Sequence, residues 1–405
     1  MIQVLLALAL QQYDHGNPSA DEQFVLEMIN RARANPGTEQ ARLLSIYGPS
    51  GTGLLPSGWT LSEGISPAPP NPVPAQPPLA FNKDLIASAR GHTQDMWTRD
   101  YFDHFYPPGT MPPTSTSDPQ GRMIAAGYVF TPAWRYGENI ASADPSSAGG
   151  LEDLLMMDQG EPGRGHRVNL LDIGSSTPFC EIGIGYSDFG GDETNVFRCT
   201  ITQDFAQSTG SGPYLVGVVY WDQNGNGAYD QGEGLGGVTI TVSGITNYAV
   251  TSSSGGYAIP IPSSGTVTVT ATGLNLPGVL NQTGVVLSGQ NVKVDFKITA
   301  AGTNGLPNYW TANYPTASNP AADTDGDTFT NLQEFYGGSD PTSAASTPVS
   351  LPPSNPPSSP PGSSGSSGTK GKSGCGSTGL EGAILLWLAR ALRPRPRTRP
   401  RVRTL

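Results

Sequence analysis

A stretch that gathers acids and amides at alternate positions over twelve residues cannot be buried as ordinary core, and this chain has two of them. The first reads Asp222, Asn224, Asn226, Gly227, Ala228, Asp230, Glu233 and the second Asp323, Asp325, Asp327, Thr328, Phe329, Asn331, Glu334. Carboxylates held together repel, so such a segment wraps a positive charge or stays in water. Oxygens at positions 1, 3, 5, 9 and 12, a backbone carbonyl at 7 and glycine at 6 make the calcium-loop spacing. In the first segment Asp222, Asn224, Asn226, the Ala228 carbonyl, Asp230 and a bidentate Glu233 would surround one Ca2+, with Gly227 permitting the sharp turn. In the second, Asp323, Asp325, Asp327, the Phe329 carbonyl, Asn331 and Glu334 would hold another. Thr328 stands where the glycine belongs, so a different turn is expected there.

The flanking patterns divide the chain. β-rich runs at 215–221, 238–242, 248–251, 257–261, 266–271, 285–287 and 292–298, separated by Gly, Ser and Asn, predict a small Ig-like or prealbumin-like β-sandwich over 213–299. The second loop belongs to a small element at 306–346, whose helix after Asn331 would bury Leu332 and Phe335; so short a piece needs an ion to clip it. Upstream, 19–207 mixes helices and strands, so the whole is α+β. Ser19-Ala20-Asp21-Glu22 is a capping box, followed by Phe24, Val25, Met28, Ile29 and Ala32 at helical spacing and a stop before Pro36-Gly37. Residues 37–78 form a Pro/Gly-rich loop. A helix over 82–99 buries Leu85, Ala89, His92 and Met96, and another lies near 151–158. Ile182, Ile184, Tyr186 and then Phe197, Cys199, Ile201 alternate as two strands around a turn at 187–195. A turn centred near Phe189-Gly190 would set Cys180 opposite Cys199 and allow a disulfide, which would place the protein outside the cytoplasm.

Charge and the termini narrow the setting. The net charge is −11, yet Lys370, Lys372 and seven arginines from Arg390 to Arg403 lie at the end. With those nine residues and Glu381 set aside, 13 positive and 32 negative residues remain, a charge of −19. That excludes a nucleic-acid partner by bulk electrostatics and suits divalent cations. Residues 1–18, with the apolar run 2–10, resemble a truncated secretion signal. Ser, Gly and Pro dominate a disordered spacer at 347–373. In 374–405, Gly374-Cys375, a weak apolar stretch and the basic tail resemble bacterial glycine-cysteine C-terminal sorting signals. That resemblance implies retention at the membrane, processing or lipid attachment near Cys375, and a place at the cell surface in the bacterial envelope.

Four segments carry a further resemblance in order: Ala89-Arg90-Gly91-His92-x-x-Asp95-Met96, Phe102-Asp103-His104, Gly137-Glu138-Asn139-Ile140 and Gly165-His166-Arg167-x-Asn169. Ile182-Gly183-Ile184-Gly185 and Thr202-Gln203-Asp204-Phe205 close the series. Over 19–207 the chain resembles the bacterial branch of the CAP superfamily, the cysteine-rich secretory, antigen-five and pathogenesis-related proteins. The resemblance implies an α-β-α sandwich on a three-stranded antiparallel sheet. It also implies a cleft where His104, Glu138, His166 and, at the fourth position, Asp158 converge. Two imidazoles and a carboxylate can hold Zn2+ or another divalent ion with one position open. His92 reads as a core histidine, Asn139 as structural, and Arg167 and Asn169 as residues that knit the loop beside the cleft. The β module with Gly236-Gly237-Val238-Thr239-Ile240 resembles the B-type repeats of staphylococcal surface adhesins. The second loop resembles thrombospondin type-3 and dockerin-like calcium repeats, but a single copy does not support docking, which uses paired loops.

The expected function is non-catalytic binding of a small apolar or extracellular ligand beside a divalent ion, displayed on a calcium-stiffened stalk. The alternatives are a metal-dependent hydrolase of peptide or cell-wall material, with Glu138 as base, and a structural adhesin with a vestigial cleft. No G-x-S-x-G elbow is present.

Overall fold

The computed structural model describes residues 10–105, 118–143, 146–190 and 198–348. The apolar start of the expected signal segment, most of the spacer, and Gly374 and Cys375 lie outside the described residues.

The first elements are β1 (Gln11–Gln12), α1 (Ala20–Ala34) and α2 (Pro36–Tyr47). The expected capping box is present: the Ser19 hydroxyl accepts from Glu22 N at 3.2 Å, and the Glu22 carboxylate accepts from Ser19 N at 2.7 Å. The chain then re-enters a helix at once, where a loop from 37 was expected. The Asn35 side chain caps Thr38 N, and Pro36 occupies the first turn, where its missing N–H is no loss. Then come β2 (Ala80–Phe81), α3 (Lys83–Arg99), α4 (Pro119–Ala125), β3 (Arg135–Ala143), α5 (Ala148–Met157), α6 (Gly165–Leu171), β4 (Glu181–Asp188) and β5 (Cys199–Gln207).

These strands form one sheet in the order β2-β4-β5-β3, with β4, β5 and β3 antiparallel and the short β2 parallel to β4. The Ile-Gly-Ile-Gly run of β4 explains the layering, because successive side chains point to opposite faces. Ile182 and Ile184 enter a core with Ile29 of α1 and Leu151 of α5. Gly183 and Gly185 face α3, which lies so close that a Cβ on Gly183 would sit 1.9 Å from the Leu85 carbonyl carbon. Only glycine permits that approach, so helices cover both faces of the sheet.

The hairpin register overturns the disulfide. Cys199 lies opposite Asp188 and Glu181 opposite Ala206, so the two cysteines sit at opposite ends of the strand pair, and both are free. The ladder extends into the expected turn, with Phe189 N donating to Arg198 O at 2.9 Å.

In the second module β6 (Tyr214–Trp221), β7 (Thr239–Val242), β8 (Asn247–Val250), β9 (Gly256–Pro260), β10 (Gly265–Thr272) and β11 (Leu280–Leu287) lie close to the expected runs. The run expected at 292–298 is two strands, β12 (Val292–Lys293) and β13 (Phe296–Ile298), both parallel to β6. One sheet has the order β1-β8-β7-β10-β11; the other is β12-β6-β13 with β9 antiparallel to β6. Their facing side chains, among them Leu215, Val219, Ile240, Val269 and Phe296, make one core. Leu306, Trp310 of α7 (Asn308–Asn313) and Phe335 of α8 (Asn331–Gly337) enter that same core. The segments 213–299 and 306–346 thus share their apolar interior, and Leu332 is only partly buried.

Residues 10–18 of the N-terminal segment pack onto the second module. β1 pairs with β8, Gln11 opposite Asn247, and His15 Nε2 lies 3.0 Å from Gly256 O. The two modules are pinned together by Glu181, whose carboxylate accepts from Tyr128 Oη at 2.7 Å, Asn82 Nδ2 at 2.8 Å and Tyr214 Oη at 2.9 Å. Among the described residues no helix is long and apolar enough to cross a membrane.

Candidate functional site

His166 lies in the first turn of α6. Asp158, left-handed at φ 49° just after α5, turns its carboxylate onto that turn. It accepts from His166 N at 3.0 Å and Arg167 N at 3.2 Å, and His166 Nδ1 lies 2.8 Å away. A carboxylate only accepts, so Nδ1 is the donor in that bond. Arg167 is buried and donates to the carbonyls of Met156, Met157, Leu61 and Glu63; burial lowers its pKa to about 10. Asn139 donates to His166 O, and Asn169 donates to Asn139. These three residues knit the loop, as expected.

His104 and Glu138 form a separate couple. Glu138 sits on β3, paired with Asp204 of β5. Glu138 Oε1 is 2.8 Å from His104 Nδ1 and 3.8 Å from His92 Nε2, and Oε2 accepts from Arg122 Nη2 at 2.5 Å. Burial works against its charge, yet His104, His92 and Arg122 together hold the carboxyl below its usual range. Asp204 is pushed well above its usual range, by burial first and by the Glu138 charge second. Burial takes His92 down to about 4, which fits a neutral core histidine. Arg122 and Asp204 were missed as site residues: Arg122 arrives from α4 without a motif, and Asp204 reaches Glu138 only through strand pairing.

The expected convergence does not form. The structure makes two couples, His104–Glu138 and His166–Asp158, and among the described residues no three ligand atoms of this set lie within 4.8 Å of one another. Glu138 pairs with Arg122 on the sheet, and Asp158 accepts from the backbone at the start of α6. What lies beside His166 is an apolar cavity of about 50 Å³ between β3 and α5. Leu54, Ile140, Leu154, Leu155 and Met157 line it, with Ser142, Asp158, Gln159, Glu161 and His166 as its polar lining.

The oxygen-rich loops fare differently. In the first, Asp222 and Glu233 are buried, and Asp222 Oδ1 has no hydrogen-bond partner. Gly227 takes φ 80° and donates to Asp222 Oδ2, and Glu233 accepts from Gln223 N and Asp230 N, each at 3.0 Å. In the second, the ligand atoms of Asp323, Asp325 and Asp327 lie within 4.8 Å of one another. Asp325 Oδ2, Asp327 Oδ2, Asn331 Oδ1 and Glu334 Oε2 are buried without partners, and Glu334 is 0% exposed. Unmatched buried oxygens are costly, and a cation supplies what they lack. Thr328 does not change the turn; it adopts the glycine's left-handed backbone at φ 85° and donates to Asp323 Oδ2. Burial, then the neighbouring acids, raises both Glu233 and Glu334 to about 7.

No family model and no curated protein matches the chain. Two solved structures are similar to part of it, a C-terminal and an N-terminal interface mutant of a type II cohesin–X-dockerin complex from Acetivibrio cellulolyticus. They are 20% and 21% identical, and each match covers 31% of this chain and 86% of the other at a TM-score of 0.22. A likeness that loose carries no argument about fold or function.

Proposed function

We propose that the protein is a secreted, surface-held bacterial binding protein of CAP type. Its N-terminal module takes a small apolar ligand, and the β module behind it is stiffened by Ca2+. The observation that carries this reading is the cavity between β3 and α5, with largely apolar walls and polar groups that include His166, Asp158, Gln159 and Glu161. An apolar wall supplies affinity by releasing water, and a few polar groups orient the ligand. The ordered motifs from Ala89 to Phe205 and the layering of helices on the sheet support the CAP reading. The residues at the two ends support the envelope location. The buried, unmatched oxygens of Asp222 and Glu334 support Ca2+ in both loops.

Methyl NMR with 1-hexanol as probe tests the cavity. The expected result is saturable shifts confined to Ile140, Leu154, Leu155 and Met157 that vanish in Leu155→Trp, which fills the space. Shifts absent up to the solubility limit, or unchanged in Leu155→Trp, would overturn the assignment.

A further inference from the structure

The two oxygen-rich loops are distant in sequence but grip each other in the fold. Trp221, the residue before Asp222, meets Phe335, the residue after Glu334, with ring centroids 5.6 Å apart and planes at 90°. Gln223, the second residue of the first loop, donates from Nε2 to Tyr336 Oη at 2.5 Å. Just past Glu233, Gly236 N donates to Tyr336 O at 2.8 Å. Gly237, at φ 73°, runs so near α8 that a Cβ there would lie 2.4 Å from Gly337 O. Both ends of the first loop are thus fastened to the short helix that carries the last ligand of the second.

Each loop also has a ligand oxygen waiting. Asp222 Oδ1 on one side, and Glu334 Oε2 and Asn331 Oδ1 on the other, are buried without partners, on side chains at most 6% exposed. An ion in the second loop fixes Glu334 and with it the position of α8. Phe335 and Tyr336 then hold Trp221, Gln223 and Gly236, which flank Asp222 and Glu233. Part of the ordering that the first loop needs is then complete before its own ion arrives. Trp221, Phe335 and Trp310 belong to one packed core, so the change is not absorbed by soft side chains.

We propose that the two loops bind Ca2+ as a coupled pair, each ion raising the affinity of the other through the Trp221–Phe335 and Gln223–Tyr336 contacts. This rests on the reading of both loops as Ca2+ sites. Linkage makes the effect reciprocal. The test is Ca2+ calorimetry on the full chain. The wild type is expected to take two ions. Asp325→Asn with Glu334→Gln should lower the affinity of the remaining site by about fivefold or more. Asp222→Asn with Glu233→Gln should lower the second site by the same factor. Tyr336→Phe, which keeps the ring and loses the hydroxyl, should still bind two ions but weaken both. Two ions whose affinities ignore the state of the other loop and the Tyr336→Phe change would overturn the coupling while leaving the Ca2+ sites intact. No Ca2+ uptake by the wild type would remove the sites themselves, and the coupling with them.

Discussion

Trp310→Ala measures how far the 306–346 segment belongs to the second module. The Trp310 side chain is 0% exposed, with its ring 5.0 Å from Tyr314 and 5.7 Å from Phe335. A buried tryptophan removes roughly 150–250 Å² from water. At about 25 cal/mol/Å² that is roughly 4–6 kcal/mol. Alanine keeps a little of it. Trp310 Nε1 is buried without an acceptor, so truncation also relieves about 1–3 kcal/mol of desolvation. The balance is a loss of about 3 kcal/mol, at the lower end of the usual range for removing a core aromatic. The assay is amide hydrogen exchange on the full chain at fixed Ca2+. Amides of β6 and β10 should exchange about a hundredfold faster, since about 1.4 kcal/mol is a factor of ten. If only α7 and α8 lose protection while β6 and β10 keep theirs, the shared core is refuted and 306–346 is an appendage.

His92 predicts a pH dependence. Burial lowers its folded-state pKa from 6.5 to about 4, so folding favours the neutral ring. The resulting stability is complete above about pH 6.5 and is lost as pH falls toward 4, about 3 kcal/mol in all. Urea titrations of wild type and His92→Phe should diverge over that window, and parallel curves would show that the ring takes a proton without penalty. For the cysteines, alkylation of the denatured, unreduced protein should tag both Cys180 and Cys199. A peptide pair still joined by a disulfide would refute the β4–β5 register.

Much of the architecture was legible because it is written in local periods. The Ser19 cap, the helical stripe of α3 and the alternating runs of β6 to β10 each depend on residues within a few positions, and each lies close to its expected place. The oxygen spacing of both loops was legible for the same reason. Pro36-Gly37 misled because a proline that ends one helix also suits the first turn of the next. β3 was missed because Gly137-Glu138-Asn139 is polar; pairing with β5 buries Glu138 and Asn139, and no local signal announces that.

Long-range choices were not legible. Cys180 lies just before β4 and Cys199 on β5, but register is set where whole strands pair, and the observed pairing is centred about four residues beyond the expected turn centre. Two histidines and two acids stood in the right order, yet order does not impose convergence. Arg122 arrived from a helix with no motif and drew Glu138 to itself.

The sequence alone determined the local elements, the oxygen spacing of both loops and the acidic body, because each is a property of neighbouring residues. Tertiary structure alone decided that each imidazole would pair with its own carboxylate, that an apolar hollow would open beside one of them, and that the two oxygen-rich loops would share a helix and a core. Burial and side-chain pairing across distant segments settle those matters, and they exist only once the chain has packed.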